Sequence, residues 1–557
     1  MPIVRGFTGE IRTMPPDIYV NEMPVPQAEN FTMPDFVLGF VGEFDRGPVN
    51  EYIYCSETPT KRMTEIVRTV LGEMSDDGYK GNQLLTHLHM ARAKKAVFVR
   101  ILGAGYATAG LTLTDSQDVP EPTLKISAKY PGKYANIFTV EVIAEERETF
   151  TLKLYSDLDG YETYTGLTMD KGSDKYAVKV INEKSYHFVL EDLESTVGEL
   201  EKKKPSVIEQ TQLSGGSDGA APTATEYMGT FDNGTGKRTG LKLLELAGKQ
   251  VTDFCYIGFS APAADKALYA FGEKYNSMGY CGTNNLKAGI TGEDIIAYRK
   301  TYDTDFCQMT AGNYKANTGA QISGACLSAI VHVTGNVEDS GLACECTWIT
   351  GSDEEFDFDQ LTFLYENQIG CFTLKPSETG QGNLGWRMGN DYTLAVKDVL
   401  GEVITDNENR KVNRRRLNSW IFFSCSHEKP FLFLILIFFL RLRCKLLGQN
   451  TRNHQKYSLI WIENSLFFVA AKWQGKAMTA KMKQDAEVRI RTFFDELKNP
   501  TVNPLENPKI EDYSITFDES AKSIDVFVQN INVKHFNTAE WVLLNFAGGT
   551  NAEIETV

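Results

Sequence analysis

The sequence predicts an α/β core interrupted by an inserted antiparallel β domain, followed by a C-terminal α+β domain and flanked by extended arms at both chain ends. Three observations predict this. Two strand-like apolar runs separated by an amphipathic helix mark the α/β part; a change of hydrophobic period to two marks the insertion; a helical apolar stripe followed by strands marks the last domain. At 557 residues the chain also exceeds the size at which a single core stops growing.

Residues 1–35 carry Pro2, Pro15, Pro16, Pro24, Pro26 and Pro34 around the short β-like stretch Ile18-Tyr19-Val20. Prolines on both sides forbid a helix, so this is an extended arm. The core opens with FVLGFVG from Phe36, continues in a helix whose Leu84, Leu85, Leu88 and Ala91 share one face, and reaches AVFVRIL at Ala96 to Leu102. That last run is apolar throughout, as suits a strand covered on both faces. The core therefore spans 36–104 and resumes over 214–475, where the helical TGLKLLELAGK precedes the buried strand-like DFCYIGFSA.

The insertion spans 105–213. Its alternating runs are Leu124, Ile126 and Ala128; Phe150, Leu152 and Leu154; Tyr176, Val178 and Val180; and Tyr186, Phe188 and Leu190. Each reads as a strand with one wet face. The stretch LSGGSDGAAPTAT that follows reads as a Gly/Ser/Pro linker. In the last domain, 476–546, Met482, Ala486, Ile490, Phe493 and Leu497 form a helical stripe ahead of strands at Ser523 to Val533 and Glu540 to Phe546. Residues 547–557 form the second arm.

Composition excludes several function classes. A net charge of -16 and a pI near 5.1 oppose binding to a phosphate backbone, which needs clustered Lys and Arg. The ten cysteines are too scattered for a disulfide framework, and MPIVRGFTGE lacks the basic-then-apolar order of a signal peptide. A reduced, cytosolic chain is expected.

The chemistry-bearing residues form no convincing site. Ser260 in GFSAP has Pro262 where a nucleophile elbow needs Gly, so it reads as a strand end. His332 in AIVHVTG reads as a core histidine in an apolar strand. His87 and His89 alternate on a helix and so point apart, which prevents a shared metal. Cys344 and Cys346 have no second pair at zinc spacing and read as small buried hydrophobes. The acidic run Asp353, Glu354, Glu355, Asp357 and Asp359 lacks the glycine and terminal Glu of a calcium loop. The run FLFLILIFFL, Phe431 to Leu440, is half the length of about twenty residues that a spanning helix needs, so no membrane anchor is expected. No catalytic residue, metal or cofactor is assigned.

Residues 422–462 form an anomalous insertion within the core. Trp-Ile occurs at 420–421 and again at 461–462, so removing 41 residues joins RRRLNSWI to ENSLFFVAAKW. The join places Leu417, Trp420, Ile421 and Leu466 on one helical face. The excised segment is basic in an otherwise acidic chain and rich in Phe, Leu, Ile, Lys and Asn, the bias expected of translated AT-rich noncoding sequence; a true surface loop is the alternative.

Seven stretches in order resemble the contractile phage tail sheath family. PPDIYVNE (Pro15 to Glu22) is similar to the family's N-terminal arm, and VGEFDRGPVNE (Val41 to Glu51) to its turn ending in Gly-Pro. AVFVRIL resembles a core strand, KYPGKYANIFTVEV (Lys129 to Val142) the motif opening the inserted domain, and LSGGSDGAAPTATEY (Leu213 to Tyr227) the return to the core. Arg414-Arg415-Arg416-Leu417 with IENSL (Ile462 to Leu466) resembles a family helix, and TAEWVLLNF (Thr538 to Phe546) a C-terminal strand.

The resemblance implies a sheath-type core of subtilisin-like architecture and a structural, non-enzymatic role. It implies hexameric rings stacked helically around a tail tube, which contract to drive the tube through a cell envelope for genome ejection. Baseplate and tail terminator proteins are the further partners implied, with the virion tail, assembled in the host bacterial cytoplasm, as location. The sheath of an R-type bacteriocin or an extracellular contractile injection system is the alternative; a hydrolase or surface-layer protein fits less well. The expected subunit contacts are Ile18, Tyr19, Val20, Asn21 and Glu22 in the first arm, and Trp541, Val542, Leu543, Leu544, Ile554 and Val557 near the C-terminus. Extended arms add as strands to a neighbour's sheet.

Overall fold

The computed structural model describes residues 36–157, 160–246, 251–283, 306–335, 344–353, 356–376, 384–389, 480–500, 507–517 and 529–536, with short runs within 298–304, 341–342, 393–394 and 458–466. These fall into two compact units, the larger holding the described residues from Phe36 to Ile462 together with Phe536, and the smaller those from Ser465 to His535.

The larger unit begins with β1 (Leu38–Gly42), β2 (Ile53–Ser56), α1 (Met63–Leu71), α2 (Lys80–Met90) and β3 (Lys95–Arg100). β1 is flanked by β3, and β2 closes that edge antiparallel to β3. The chain next forms β4 (Gly110–Thr114), β5 (Pro122–Ala128), β6 (Thr139–Ala144), β7 (Phe150–Ser156), β8 (Gly160–Leu167), α3 (Ala177–Lys184), β9 (Phe188–Asp192) and β10 (Ile208–Gln212). It then returns through β11 (Asp253–Tyr256), α4 (Pro262–Tyr275), β12 (Met278–Cys281), β13 (Cys307–Thr310), β14 (Asn313–Ala316), β15 (Gln321–Ser323), α5 (Gly324–Thr334), β16 (Ile349–Ser352), α6 (Phe358–Glu366), β17 (Ile369–Gly370), β18 (Phe372–Pro376) and β19 (Leu384–Met388).

The central sheet has the order β17-β13-β12-β11-β1-β3-β2, parallel except for β2. Strand order reverses at β1, whose Leu38 stands beside both Ala96 of β3 and Asp253 of β11. Helices cover both faces, which is why the inner strands are apolar on successive residues. On one face Phe40, Phe98, Met278 and Tyr280 pack with Val67 of α1, Leu84, Leu85 and Leu88 of α2, and Leu327 and Ile330 of α5. On the other, Val41, Val97, Val99 and Phe254 pack with Leu241 and Leu244, and with Leu268 and Phe271 of α4.

Between β3 and β11 lie two antiparallel sheets, β10-β6-β7-β8 and β4-β5-β9. They share a core of their own containing Leu124, Ile126, Phe138, Val140, Leu152, Leu154, Phe188 and Leu190. Three of the alternating runs lie in β5, β7 and β9, but Tyr176, Val178 and Val180 do not form a strand. There the chain is helix α3, which buries Ala177, Val180 and Ile181 at the i, i+3, i+4 spacing of one helical face. The segment TGLKLLELAGK is a 3₁₀ turn over Gly240–Leu246 rather than an α-helix.

The stretch LSGGSDG is no slack linker. Ser214 and Ser217 pair with Gly110 and Ala107, and the Asn136 side chain exchanges two hydrogen bonds with the backbone of Gly216. Gly219 adopts φ +76, and a Cβ there would lie 2.7 Å from the carbonyl oxygen of Gly103, so only glycine lets the outgoing and returning chains cross this closely.

Candidate assembly interface

In the smaller unit, α7 (Ala480–Lys498) packs against the hairpin of β20 (Asp512–Phe517) and β21 (Gln529–Lys534). Ile490, Phe493, Phe494 and Leu497 recur at i, i+3, i+4 and i+7 and are buried, with Ile510, Ile515 and Ile531 from the hairpin side. Phe494 stacks on Tyr513 with ring centroids 5.0 Å apart. The Tyr513 hydroxyl donates to Asp495 Oδ1 at 2.6 Å, and burial followed by that carboxylate pushes its pKa up to about 12. Lys498 pairs with Asp512 at 2.8 Å, and Lys534 with Glu511.

The hairpin runs in register from Asp512 opposite Lys534 to Phe517 opposite Gln529. Among the described residues each strand pairs only with the other, leaving two outer edges. A two-stranded sheet with backbone donors and acceptors on both edges is able to take up further strands. The arm residues Ile18, Tyr19, Val20, Asn21, Glu22, Trp541, Val542, Leu543, Leu544, Ile554 and Val557 lie outside the described residues, as do the expected strand from 540 to 546 and residues 523–528 of the expected strand before it.

The larger unit places the remaining candidate residues in structural roles. Ser260 donates to Asp265 Oδ2 at 2.7 Å and lies 3.1 Å from the Gly282 carbonyl, while the Tyr298 hydroxyl also donates to Asp265. Burial pushes the Asp265 carboxyl up to about 6. His332 lies not in a strand but on α5, buried and stacked over Tyr280 at 5.7 Å. The apolar run AIVHV fits either element; the capping Ser323, whose Oγ accepts the Cys326 N–H, is the signal that starts the helix.

His87 and His89 turn to different neighbours. His87 Nε2 is 2.9 Å from the Ala320 carbonyl, and burial pulls its pKa down to about 4; His89 meets Thr64 and Arg62. Cys346 is buried and Cys344 half-buried. Asp357 caps α6 in a capping box with Gln360, and Asp353 pairs with Lys315 at 2.6 Å; Glu354 and Glu355 lie outside the described residues. No group of three or more potential metal ligands occurs among the described residues, and no described helix is long and apolar enough to cross a membrane.

Two buried groups escape a reading by motif. Arg100, fully buried, donates to the carbonyls of Phe44, Asp45, Gly47 and Pro131. Its only sequence signal is a charge inside AVFVRIL. Asp253, also fully buried, accepts from the Tyr280 hydroxyl at 2.8 Å, and burial pushes its carboxyl up to about 7.

No protein-family model matches the sequence, and no curated protein matches it either. Solved structures do. The sheath tail protein of Listeria innocua is similar with a TM-score of 0.56 at 13% identity, covering 91% of this chain and 93% of that one. The chain has the sheath tail protein fold. The sheath tail protein of Desulfitobacterium hafniense is similar with a TM-score of 0.51 at 12% identity, covering 93% of this chain and all of that one. About seven residues in eight differ between this chain and either protein.

Proposed function

We propose that this chain is the structural subunit of a contractile sheath, which polymerises around a tail tube and shortens to drive the tube through a target cell envelope. The observation that carries the reading is the sheath fold, shared over more than nine-tenths of this chain with two sheath tail proteins. The seven ordered sequence motifs support it independently. In this reading the core has subtilisin-like architecture, and the subunits form hexameric rings in a helical stack. Baseplate and terminator proteins bound the stack on a virion tail.

The outer edges of β20 and β21, unpaired among the described residues, accept the extended arms of neighbouring subunits as added strands. Backbone hydrogen bonds then tie subunits together while the folded bodies between them change position, so connectivity survives contraction. Each strand contact is modest, and repetition along the lattice multiplies it through effective concentration.

The test is co-expression with a candidate tail tube protein from the same source, followed by sedimentation and microscopy. Sheathed tubes that convert to shorter, wider, empty sheaths on mild denaturant are expected. Tubes that remain bare in the presence of excess folded subunit would contradict the proposal.

A further inference from the structure

The helix α5 starts at the C-terminal edge of the central sheet, and its first turn carries Cys326. Ser323 accepts the Cys326 N–H at 3.4 Å, the Gly258 N–H supports the Cys326 sulfur, and the positive charge of Lys80 lies near it. Gly258 holds φ +58 in the turn after β11, and Lys80 Nζ of α2 donates to its carbonyl at 2.8 Å, which keeps the lysine charge at this turn. Directly facing Cys326 is Cys255 of β11, whose thiol donates to the Cys326 sulfur across 3.3 Å. Cys326 in turn lies 3.6 Å from the Tyr256 carbonyl.

The two thiols are not equivalent. The hydrogen bond from Cys255, ahead of the helix-end donors, holds Cys326 below the usual thiol range against the cost of burial, whereas burial pushes Cys255 up. A thiol at a helix N-terminus forms its thiolate more readily, and a second thiol within contact distance resolves whatever the first one forms. Cys281 and Cys307 provide an internal contrast. They lie 3.6 Å apart on the adjacent strands β12 and β13, and Cys281 is pushed up first by its bond to Cys307 and then by burial.

We propose that Cys326 and Cys255 form a reversible disulfide under hydrogen peroxide, with Cys326 as the attacking thiol. The Cys326 thiolate attacks one peroxide oxygen; the O–O bond breaks, sulfur is oxidised to the sulfenic acid, and the other oxygen leaves as hydroxide and takes up a proton as water. Cys255, as thiolate, attacks that sulfur; the S–S bond forms, the S–O bond breaks, and the hydroxyl leaves with the Cys255 proton as a second water. Both residues are about 1% exposed, so oxidant enters through local opening of the structure, and the reaction is slow beside that of a surface thiol. The bond ties β11 to α5 across 71 positions of chain and restricts the unfolded state.

The test uses the full-length protein exposed to hydrogen peroxide, then unfolded in alkylating agent and mapped by mass spectrometry. A dithiothreitol-sensitive peptide pair joining Cys255 to Cys326, with a raised unfolding midpoint before reduction, is expected. In Cys255→Ser, dimedone should trap a sulfenic acid at Cys326; in Cys326→Ser, Cys255 should stay an alkylatable thiol. The inference is overturned if Cys255 and Cys326 remain thiols in the unmodified chain after Cys344 is oxidised, or if Cys281 and Cys307 are joined instead. The mapping of the unmodified chain decides the matter even if a variant fails to fold.

Discussion

The guanidinium of Arg100 donates from Nη1 to the carbonyl oxygen of Pro131 at 2.8 Å, so the last residue of a central strand holds the chain at the entry to the antiparallel sheets. The same side chain caps Phe44, Asp45 and Gly47, and Asp218 anchors the return by accepting the Tyr79 hydroxyl and the Lys133 N–H. Removing Arg100 strands several buried carbonyls at once. Arg100→Met should cost about 2–4 kcal/mol, since each orphaned buried acceptor costs about 1–3 kcal/mol and loss of a buried charge offsets part of the total. Urea unfolding measures it, and a change below about 0.5 kcal/mol would show the caps to be dispensable.

Asp253 predicts a pH dependence. Its folded carboxyl titrates near 7, above the ordinary 3.8, so the folded state binds the extra proton between those values. Its contribution is full below about pH 4 and is lost as pH rises through about 7. Asp253→Asn should remove that loss, leaving the variant about 3–4 kcal/mol more stable relative to the parent at pH 8 than at pH 4. Parallel stability curves for the two proteins would refute the assignment.

The anomalous segment 422–462 lies mostly outside the described residues, but Ile460, Trp461 and Ile462 are described and buried, and Phe36 stacks with Trp461 at 6.3 Å. Removing 422–462 puts Trp420 and Ile421 directly before Glu463, in the same sequence context. Ser419 then falls where Ile460 is buried, a loss of about 2–4 kcal/mol by analogy with large-to-small core changes. The shortened chain should still unfold cooperatively and polymerise. A chain that no longer folds would place the segment in the core.

Deleting residues 1–25 should leave cooperative unfolding unchanged and abolish polymer formation, because so few apolar residues lie in that stretch. Calorimetry with sedimentation separates the two effects. Polymers that persist without the arm would assign the contacts elsewhere.

Strands covered on both faces were the most legible part of the fold, because AVFVRIL and DFCYIGF admit no amphipathic alternative. Short apolar runs were not. Tyr176-Val178-Val180 alternates like a strand, yet Ala177, Val180 and Ile181 make an equally good helical face, and tertiary packing chose the helix. His332 was misplaced for the same reason. Arg100 and the Cys255–Cys326 pair were invisible because their partners are backbone carbonyls or residues 71 positions apart, which no local pattern encodes. The hairpin was foreseeable only in part: β21 overlaps the expected strand from Ser523 to Val533, whereas β20 over Asp512–Phe517 was not expected, and its pairing with β21 is a relation that no local pattern encodes.

The most direct measurement is electron microscopy of the purified full-length protein at high concentration, alone and with its tube protein. Rings or hollow helical polymers with sixfold symmetry are predicted. Particles that stay monomeric under both conditions would contradict the sheath reading.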